Sequence, residues 1–368
     1  MKRDQKLVIL FATIALVTGL VVVARLGFGD APPVLTVERQ VPVGPDGRLT
    51  LQFVGDTYLG DAAQEYIDEH GYDWPFEKVK PMLDADFTIA TAEAALTHRT
   101  KVWNPSKKYS YMANPASAAA MARAGIDGVT LANNHVFDAG PEGLADTMEH
   151  AEAAGLAAFG AGPNIRIAER PLLLKSEIGT IGIVGLGESF GFKANEDTPG
   201  TVVLEAETVE RGAALARKAG ADWVIAYVHW GDNYAPVNEM QQYWAQQLAA
   251  AGYDLVVGSG PHVSQPIDVL GSVPVFYSVG NFVFGTRGSY KPDVLPGYGL
   301  SAEVEFPRNG KPQVSVRCIQ VDNKIVHYQP RPCSPAQASS YLPTLNRSLK
   351  LDGDRGVLPC ECFIRGRR

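Results

Sequence analysis

Residues 223–232 read Trp-Val-Ile-Ala-Tyr-Val-His-Trp-Gly-Asp, so that a run of six apolar residues ends at a histidine. A short apolar run that stops abruptly at polar residues is typical of a buried strand that leads into a loop. The same pattern recurs where apolar runs end at Asn133-Asn134-His135 and at Pro261-His262. In open α/β sheets, functional sites form at the carboxyl ends of the strands. We therefore predict that these polar side chains meet at one edge of a sheet.

Two carboxylates follow apolar runs in the same way. Leu-Gln-Phe-Val ends at Gly55-Asp56, and Phe-Thr-Ile-Ala-Thr leads to Glu93. Taken alone, each residue has an ordinary explanation: Asp56 forms a turn, Glu93 opens a helix, and His229 is a hydrogen-bonded core histidine. Taken together, carboxylates, an asparagine oxygen and imidazoles at one sheet edge are the ligand set of a divalent metal.

The residues beside these candidate ligands carry further predicted roles. His135 is placed to donate a proton to a leaving group. Trp230 offers a stacking face, and Asp232 offers a carboxylate for the neighbouring imidazole. Asn133 and Asn281 are candidates for contact with substrate, although turn chemistry explains Asn281 equally well.

Composition limits the class of protein. The chain has 368 residues, a formal charge of −7 and a pI near 5.6. Its apolar fraction of 46% and charged fraction of 20% are those of a globular protein rather than a disordered one. Nucleic-acid-binding proteins usually present a basic face, so this charge balance argues against a nucleic-acid partner.

The N-terminus predicts a membrane anchor. An uncharged and mostly apolar run of 18 residues, 7–24, follows Lys2, Arg3 and Lys6. This length just spans a bilayer as a helix, and the positive flank places the N-terminus in the cytoplasm and the body outside. A cleaved signal peptide is the alternative. The run is long for a signal peptide and lacks a clear cleavage site, which favours an anchor that is retained.

All four cysteines lie in the last 51 residues, at Cys318, Cys333, Cys360 and Cys362. An even number in an exported chain predicts disulfides. Because Cys360 and Cys362 stand close together in sequence, we expect a bond from Cys318 or Cys333 to one of them. A metal site made of cysteines alone is less favoured, since no Cys-x-x-Cys occurs.

Strand and helix patterns alternate after a linker that ends near residue 33, and this alternation predicts an α/β layered domain. From Pro266 onward the pattern becomes β-rich, which predicts a hairpin over 267–279 and a central sheet that turns mixed or antiparallel late. Local patterns also predict a helix over 76–83, a strand over 325–328 and a helix over 334–349.

The strings that carry these predictions, taken in order and spacing, resemble those of the CapA family of capsule and poly-γ-glutamate synthesis proteins, which is related to calcineurin-like metallophosphoesterases. They lie between residues 49 and 306 and are Val54–Gly60, Ala92–Leu96, Leu131–Gly140, Val228–Tyr234, Gly258–Gln265 and Phe276–Phe284.

The resemblance implies a four-layer αββα sandwich of the metallophosphoesterase type with a metal site on one rim. It implies that His135 contacts substrate or protonates a leaving group, and that the metal ligands are Asp56, Glu93, Asn134, His229 and His262. The chain departs from the family pattern where Ala92 and Ala94 flank Glu93 in place of the usual Asn-Leu-Glu string, and where Gly260 replaces the first histidine of His-Pro-His. Tyr58 stands where true metallophosphoesterases have the histidine of Asp-x-His, and the absence of that histidine is common in CapA-like proteins. The remaining ligands predict a single, weakly held divalent metal, such as Mn, Fe or Zn.

The resemblance also gives the functional expectation and the domain organisation. We expect a membrane-anchored, extracytoplasmic protein that handles an anionic cell-surface polymer such as poly-γ-glutamate, with metal-dependent hydrolase activity on an amide or phosphoester. The alternatives are a non-catalytic accessory subunit of a polymer synthase or exporter, and a cell-surface metallophosphoesterase. The expected divisions are 1–32 for the anchor and linker, 33–306 for the CapA-like domain, and 307–368 for a β-rich and helical extension.

Overall fold

The computed structural model describes residues 35–363, and we label its strands and helices in chain order. The strands are β1 Val37–Gln40, β2 Arg48–Tyr58, β3 Phe87–Ala92, β4 Ala95–Leu96, β5 Met112–Ala113, β6 Gly128–Thr130, β7 Ala157–Phe159, β8 Ala161–Gly162, β9 Leu172–Lys175, β10 Thr180–Gly187, β11 Gly200–Thr201, β12 Trp223–His229, β13 Leu255–Ser259, β14 Ile267–Leu270, β15 Val273–Phe276, β16 Asn281–Phe284, β17 Tyr298–Pro307, β18 Gln313–Gln320, β19 Arg331–Pro332, β20 Lys350–Asp352 and β21 Arg355–Val357. The helices are α1 Gln64–His70, α2 Ala116–Ala124, α3 Gly140–Ala153, α4 Ile165–Ala168, α5 Ala206–Lys218, α6 Glu239–Ala251, α7 Asn323–Val326 and α8 Pro335–Leu345.

Two large sheets organise this part of the chain. One has the strand order β1-β9-β10-β12-β13-β15-β14, and its centre, β10-β12-β13-β15, is parallel. The other has the order β20-β21-β18-β17-β2-β3-β6-β7, with β16 paired to β2 and β19 paired to β18. Its strands β16, β2, β3, β6 and β7 run parallel, whereas β17 and β18 are antiparallel to their neighbours. Each sheet therefore has a parallel block whose strands end on one side.

The two sheets pack face to face, and helices cover their outer faces. In β12, Trp223, Ile225 and Tyr227 pack in the cluster that also holds Leu51 and Phe53 of β2. The alternate β12 residues 224, 226 and 228 pack instead with residues of α5 and α6. Residues of α2 and α3 pack in the same way with residues of β3 and β6. The layers thus run helix, sheet, sheet, helix. A strand that is buried on both faces explains the unbroken apolar run that precedes His229.

The structure confirms the late hairpin, since β14 and β15 are antiparallel, and it corrects two local predictions. Residues 76–83 do not form one helix; short 3₁₀ turns lie at Trp74–Phe76 and Lys80–Met82, because Pro81 lacks the N–H that a helix running through its interior position needs. Residues 325–328 are not a strand. The Asp322 side chain accepts a hydrogen bond from the Lys324 N–H and starts α7, so helix capping decides this segment. The helix expected over 334–349 ends at Leu345.

The predicted disulfide pairing is wrong. The bonds join Cys318 to Cys333 and Cys360 to Cys362. Cys318 lies in β18 and Cys333 follows the antiparallel β19, so the Cys333 N–H donates to the Cys318 carbonyl and the two Cα atoms are 5.4 Å apart. The chain bends between Cys360 and Cys362, which brings their Cα atoms to 5.1 Å. Both separations are within the range that a disulfide spans.

The predicted membrane span at 7–24 lies outside the described residues. Within residues 35–363, no helix combines the length and the apolar character that crossing a bilayer requires. The strands after residue 306 continue the sheet that contains β2, and the predicted boundary at 306/307 stays a prediction.

Candidate functional site

Four of the five predicted ligands converge, but they come from two sheets rather than one. Asp56 lies in β2 and Glu93 directly follows β3, both in the sheet that contains β17. His229 ends β12 and His262 follows β13, both in the other sheet. Because the parallel blocks of both sheets end on the same side, their polar ends meet at the junction of the two sheets. The sequence pattern predicts where strands end but not the sheet to which each strand belongs, so it cannot show this division.

The distances within this cluster are short. His262 Nδ1 lies 3.3 Å from Asp56 Oδ2 and 3.7 Å from Glu93 Oε2. His229 Nδ1 lies 3.7 Å from Asp56 Oδ1, and its Nε2 lies 3.6 Å from Glu93 Oε1. Two carboxylates and two imidazoles thus face one small volume.

Several oxygens in the cluster are buried without a donor. Glu93 is fully buried, and both of its carboxylate oxygens lack a hydrogen-bond partner within residues 35–363. Asp56 Oδ1 also lacks a donor among the described residues, and so does Asn134 Oδ1 in the loop that follows β6. An unpaired buried polar group is costly, and an unpaired charge more so. Carboxylate, amide and imidazole donors around one volume fit a hard-to-borderline divalent cation, which would satisfy these atoms.

The pKa values of Glu93 and His229 are shifted because both groups are buried in this cluster. Burial, with the charge of Asp56 as a second cause, raises the pKa of Glu93 well above its usual value. Burial lowers the pKa of His229 to about 4, although Asp56 opposes this shift. A divalent cation would favour the ionised carboxylate and the neutral imidazole, which are the forms that ligate metals.

His135 stands at the edge of the cluster and is held from several sides. Its Nε2 lies 3.9 Å from Glu93 Oε1, while its Nδ1 lies 2.5 Å from Asp138 Oδ2. Lys107 Nζ contacts Asp138 Oδ1 at 2.5 Å and the Asn134 carbonyl at 2.5 Å. The Tyr111 ring stacks on the imidazole with 3.9 Å between ring centroids. Burial lowers the pKa of His135 to about 4, so the imidazole is neutral near pH 7.

Sequence reasoning missed Asp138 and Lys107. The spacing His135-x-x-Asp138 was a signal for the first, because these two side chains meet across one turn of the loop. Lys107 comes from a segment distant in sequence, and no local pattern marks it.

Comparison with known proteins decides the family. The family model described as "Bacterial capsule synthesis protein PGA_cap" matches residues 50–286. That span is more than half of the chain and contains every residue of the cluster. The chain belongs to this family.

Individual relatives agree with the family match. The chain is 31% identical over 263 residues to the PGA biosynthesis protein CapA of Bacillus subtilis, a match that covers 70% of this chain and 67% of the relative. It is 29% identical over 262 residues to the capsule biosynthesis protein CapA of Bacillus anthracis, covering 67% of this chain and 64% of the relative. A probable polyglutamine synthesis accessory protein of Mycobacterium tuberculosis is 27% identical over 232 residues, covering 58% of this chain and 60% of the relative. The chain thus matches about two thirds or less of each relative's length.

Two solved structures share a lower likeness. The NAD nucleotidase NadN of Haemophilus influenzae has a TM-score of 0.44 and 14% identity, covering 83% of this chain and 57% of that one. PhoD has a TM-score of 0.36 and 9% identity, covering 77% of this chain and 66% of that one. Likeness at this level assigns neither a function nor a shared fold.

Tyr58 and Gly260, which stand at positions that lack an imidazole, each have contacts that explain the residue found there. Tyr58 stacks on Tyr111 with 4.5 Å between centroids, so it supports the ring that covers His135. Gly260 has a φ of +109°, and a Cβ at this position would lie 2.7 Å from the Trp230 carbonyl oxygen. The Gly260 N–H donates to Asp56 Oδ2 at 3.1 Å. This backbone conformation suits glycine, and it points an N–H rather than a side chain at the site.

Three predicted roles need correction. Trp230 is 1% exposed and its Nε1–H donates to the Tyr277 carbonyl at 2.7 Å, so it packs in the core and offers no stacking face. Asn133 is fully buried; its side chain donates to the Ala92 carbonyl and accepts from the N–H groups of residues 135 and 136. It shapes the loop instead of contacting substrate. Asp232 is exposed and accepts from Asn238, away from His229.

An open groove of about 1220 Å³ adjoins the cluster. Asn134, Lys107 and Asp138 line it together with several aromatic side chains. Among these, Trp103 is 58% exposed. The groove is thus lined by Lys107 and Asp138, the two side chains that contact His135.

Proposed function

We propose that this chain is a metal-dependent hydrolase that acts on an amide or phosphoester bond of an anionic cell-surface polymer, with poly-γ-glutamate as the first candidate. The observation that carries the proposal is the set of buried, unpartnered carboxylate oxygens of Asp56 and Glu93, which face two imidazoles. A structural cluster would be expected to satisfy its own buried charges.

The residues that would hold the metal are Asp56, Glu93, Asn134, His229 and His262. A bound Mn, Fe or Zn ion supplies Lewis-acid polarisation of the substrate oxygen and a water that is easier to deprotonate. Every other part of the chemistry falls to side chains of this chain.

His135 would move the proton. The 2.5 Å contact with Asp138 places the ring proton on Nδ1, so the Nε2 lone pair faces the site. A neutral imidazole in this tautomer accepts a proton from an attacking water more readily than it donates one to a leaving group. The proposal therefore gives His135 the role of base in the first step, with return of that proton to the leaving group afterwards.

The substrate class rests on the family and on the groove. The names of the Bacillus relatives refer to capsule and PGA biosynthesis. Lys107 and Asp138, which hold His135, line the groove, and Asn104, Ser106 and Asn195 on its walls offer amide and hydroxyl donors. We further propose that residues 7–24 anchor the protein in the cell membrane with its body extracytoplasmic, where it meets the subunits of a polymer synthase or exporter.

A second candidate is a non-catalytic accessory subunit. The name of the mycobacterial relatives refers to an accessory protein and favours it. So does the lack, at Tyr58 and Gly260, of two imidazoles that a full two-metal phosphoesterase would have. A third candidate is a cell-surface phosphoesterase, which differs from the first in its substrate alone.

One experiment separates these candidates. The full chain, purified in detergent and loaded with Mn²⁺, is assayed for turnover of γ-glutamyl oligomers and of a bis-aryl phosphodiester. We expect hydrolysis of the oligomers that Glu93→Gln abolishes and His150→Ala, on α3 away from the cluster, leaves unchanged. Turnover of the phosphodiester alone would support the phosphoesterase. Metal binding without turnover of either substrate would support the accessory subunit.

A further inference from the structure

Asn281 lies in the metal cluster, although sequence reasoning gave it a different role. It opens β16, which pairs in parallel with β2, and its partner in the register is Asp56. The Asp56 N–H donates to the Gly280 carbonyl at 3.0 Å, which fixes this register. Residues in register on neighbouring strands project side chains from the same face of a sheet. The Asn281 side chain is therefore presented beside the Asp56 carboxylate, and it is 2% exposed.

The amide oxygen of Asn281 and the carboxylates of Asp56 and Glu93 all lie close to one atom, His262 Nδ1. Asn281 Oδ1 lies 2.9 Å from His262 Nδ1. The same nitrogen lies 3.3 Å from Asp56 Oδ2 and 3.7 Å from Glu93 Oε2. A single N–H can serve only one of three acceptors well. Ligand atoms of one metal stand about 3 Å apart when the metal–ligand distances are about 2.1 Å, and these separations are of that size.

The Asn281 amide is oriented by a partner outside the cluster. Its Nδ2 donates to the Tyr290 hydroxyl at 2.7 Å, which turns Oδ1 toward His262. Tyr290 is itself buried. A hydrogen bond of this kind, from a ligand side chain to a partner outside the metal site, orients the ligand.

We infer that Asn281 Oδ1 is a further ligand of the metal, oriented by Tyr290. The inference rests on the metal site of the proposed function, but not on catalysis. A nitrogen that binds a metal carries no proton, so His262 Nδ1 can no longer donate to Asn281 once a metal is bound. The amide oxygen then keeps a partner only by binding the metal itself. In this way the strand next to Asp56 supplies a neutral oxygen to a site where Gly260 supplies no imidazole.

The test measures metal binding directly. Full-length protein is freed of metal and titrated with Mn²⁺, comparing Asn281→Ala and Asn281→Asp with the unaltered chain. We expect Asn281→Ala to weaken binding at least tenfold, since loss of an orienting or ligating group typically costs about 10–100-fold. Asn281→Asp keeps an oxygen in place and adds charge, so it should bind as tightly as the unaltered chain or more tightly. Tyr290→Phe should weaken binding less than Asn281→Ala.

Asn323 provides the matched control. It is a buried asparagine whose side chain donates to the carbonyls of Phe284 and Thr286, and it contacts none of the candidate ligands. Asn323→Ala should lower the melting temperature and leave the Mn²⁺ affinity unchanged. Thermal melts of every variant separate loss of folding from loss of metal.

A spectroscopic signature separates a ligand from a residue that only orients His262. With Co²⁺, Asn281→Cys should show a thiolate-to-metal charge-transfer band, and Asn323→Cys should show none. An Asn281→Ala affinity within twofold of the unaltered chain would overturn the inference. Weakened binding by Asn281→Ala with no band in a folded Asn281→Cys would overturn it as well, because the residue would then act only through His262. If the unaltered chain binds no divalent metal, both this inference and the proposed metal site fail.

Discussion

Two buried glutamates belong to the same sheet or to the loop that directly follows one of its strands. Among the described residues, one has charged partners and the other lacks any hydrogen-bond partner. Glu303 in β17 is 6% exposed; it pairs with Arg317 and with Arg355 at 2.8 Å, and it accepts from the Ser301 hydroxyl at 3.1 Å. Glu93 is fully buried, and neither of its oxygens has a hydrogen-bond partner in the described part of the chain. The fold supplies every partner in the first case and none in the second.

The difference teaches how to distinguish a structural charge from a functional one. A buried charge that the chain neutralises itself contributes to the fold, and removing a partner leaves a costly unpaired group. A buried carboxylate that faces another carboxylate and two imidazoles is incomplete until a cation binds. We therefore assign the first cluster to stability and propose metal binding for the second.

The largest expected effect is on the Glu303 cluster. Arg317→Met should lower the free energy of unfolding by about 3–5 kcal/mol, because it leaves Glu303 short of a partner in the core. Denaturant titration measures this loss, and the Mn²⁺ affinity of the folded variant should not change. Arg99→Met, which breaks an ion pair with Asp146 in which the arginine is 47% exposed, should cost less than about 1 kcal/mol. Equal costs for the two variants would contradict the contrast.

The second effect is stabilisation by metal. At a Mn²⁺ concentration of 100 times the dissociation constant, binding should stabilise the folded chain by about 2.7 kcal/mol. Asp56→Ala and His229→Ala should remove this increment, whereas His150→Ala should keep it. Melting each protein with Mn²⁺ and with a chelator isolates the increment from the intrinsic stability of each variant. An unchanged increment in all three variants would show that the metal binds elsewhere.

The third effect concerns the backbone that faces Asp56. The family pattern that the sequence resembles has a histidine at the position of Gly260, and on that pattern alone Gly260→His would be expected to tighten metal binding. The φ of +109° and the contact of a Cβ with the Trp230 carbonyl oxygen reverse that expectation. We expect Gly260→Ala and Gly260→His to cost about 1–3 kcal/mol of stability with no gain in metal. Gly155→Ala, also at positive φ but with no atom within 4 Å of the added Cβ, should cost less. A gain in metal by a stable Gly260→His would contradict this account.

The smallest effect is a pH dependence of the metal-free protein. The folded pKa of Glu93 is raised, so its contribution to stability is present below the unfolded pKa of about 4.3 and is lost as pH rises through the folded pKa. Glu93→Gln removes this loss. Without metal, the variant should gain on the unaltered chain as pH rises by one unit, from 6 to 7, by at most about 1.4 kcal/mol. Parallel stability curves for the two proteins would show that Glu93 is not a strained carboxylate.

Much of the candidate site and the layered fold class could be predicted from the sequence. Abrupt ends of apolar runs located Asp56, Glu93, His229 and His262, since a strand that is buried on both faces must end where its polar residues begin. The layered α/β class followed from the alternation of strands and helices. These features depend on local patterns, which a single sequence displays.

The remainder depends on contacts between distant segments. No local pattern encodes the division of the ligands between two sheets. The same is true of the contact between Lys107 and the His135 loop, and of the register that pairs Asn281 with Asp56. Trp230 and Asn133 were assigned to substrate because they neighbour ligands in sequence. In a strand and the loop that follows it, neighbours often point to opposite sides, and these two face the core. The disulfide pairing failed for the same reason, since β19 brings Cys333 beside Cys318.

The most direct test of the central claim is calorimetric titration of the metal-free full-length chain with Mn²⁺, beside Glu93→Gln. If the unpartnered carboxylates form a metal site, the unaltered chain should bind a single ion in a saturable step, and Glu93→Gln should lose that step while keeping a cooperative thermal melt. A folded, unaltered chain that shows no saturable binding of Mn²⁺, Fe²⁺ or Zn²⁺ would contradict the account.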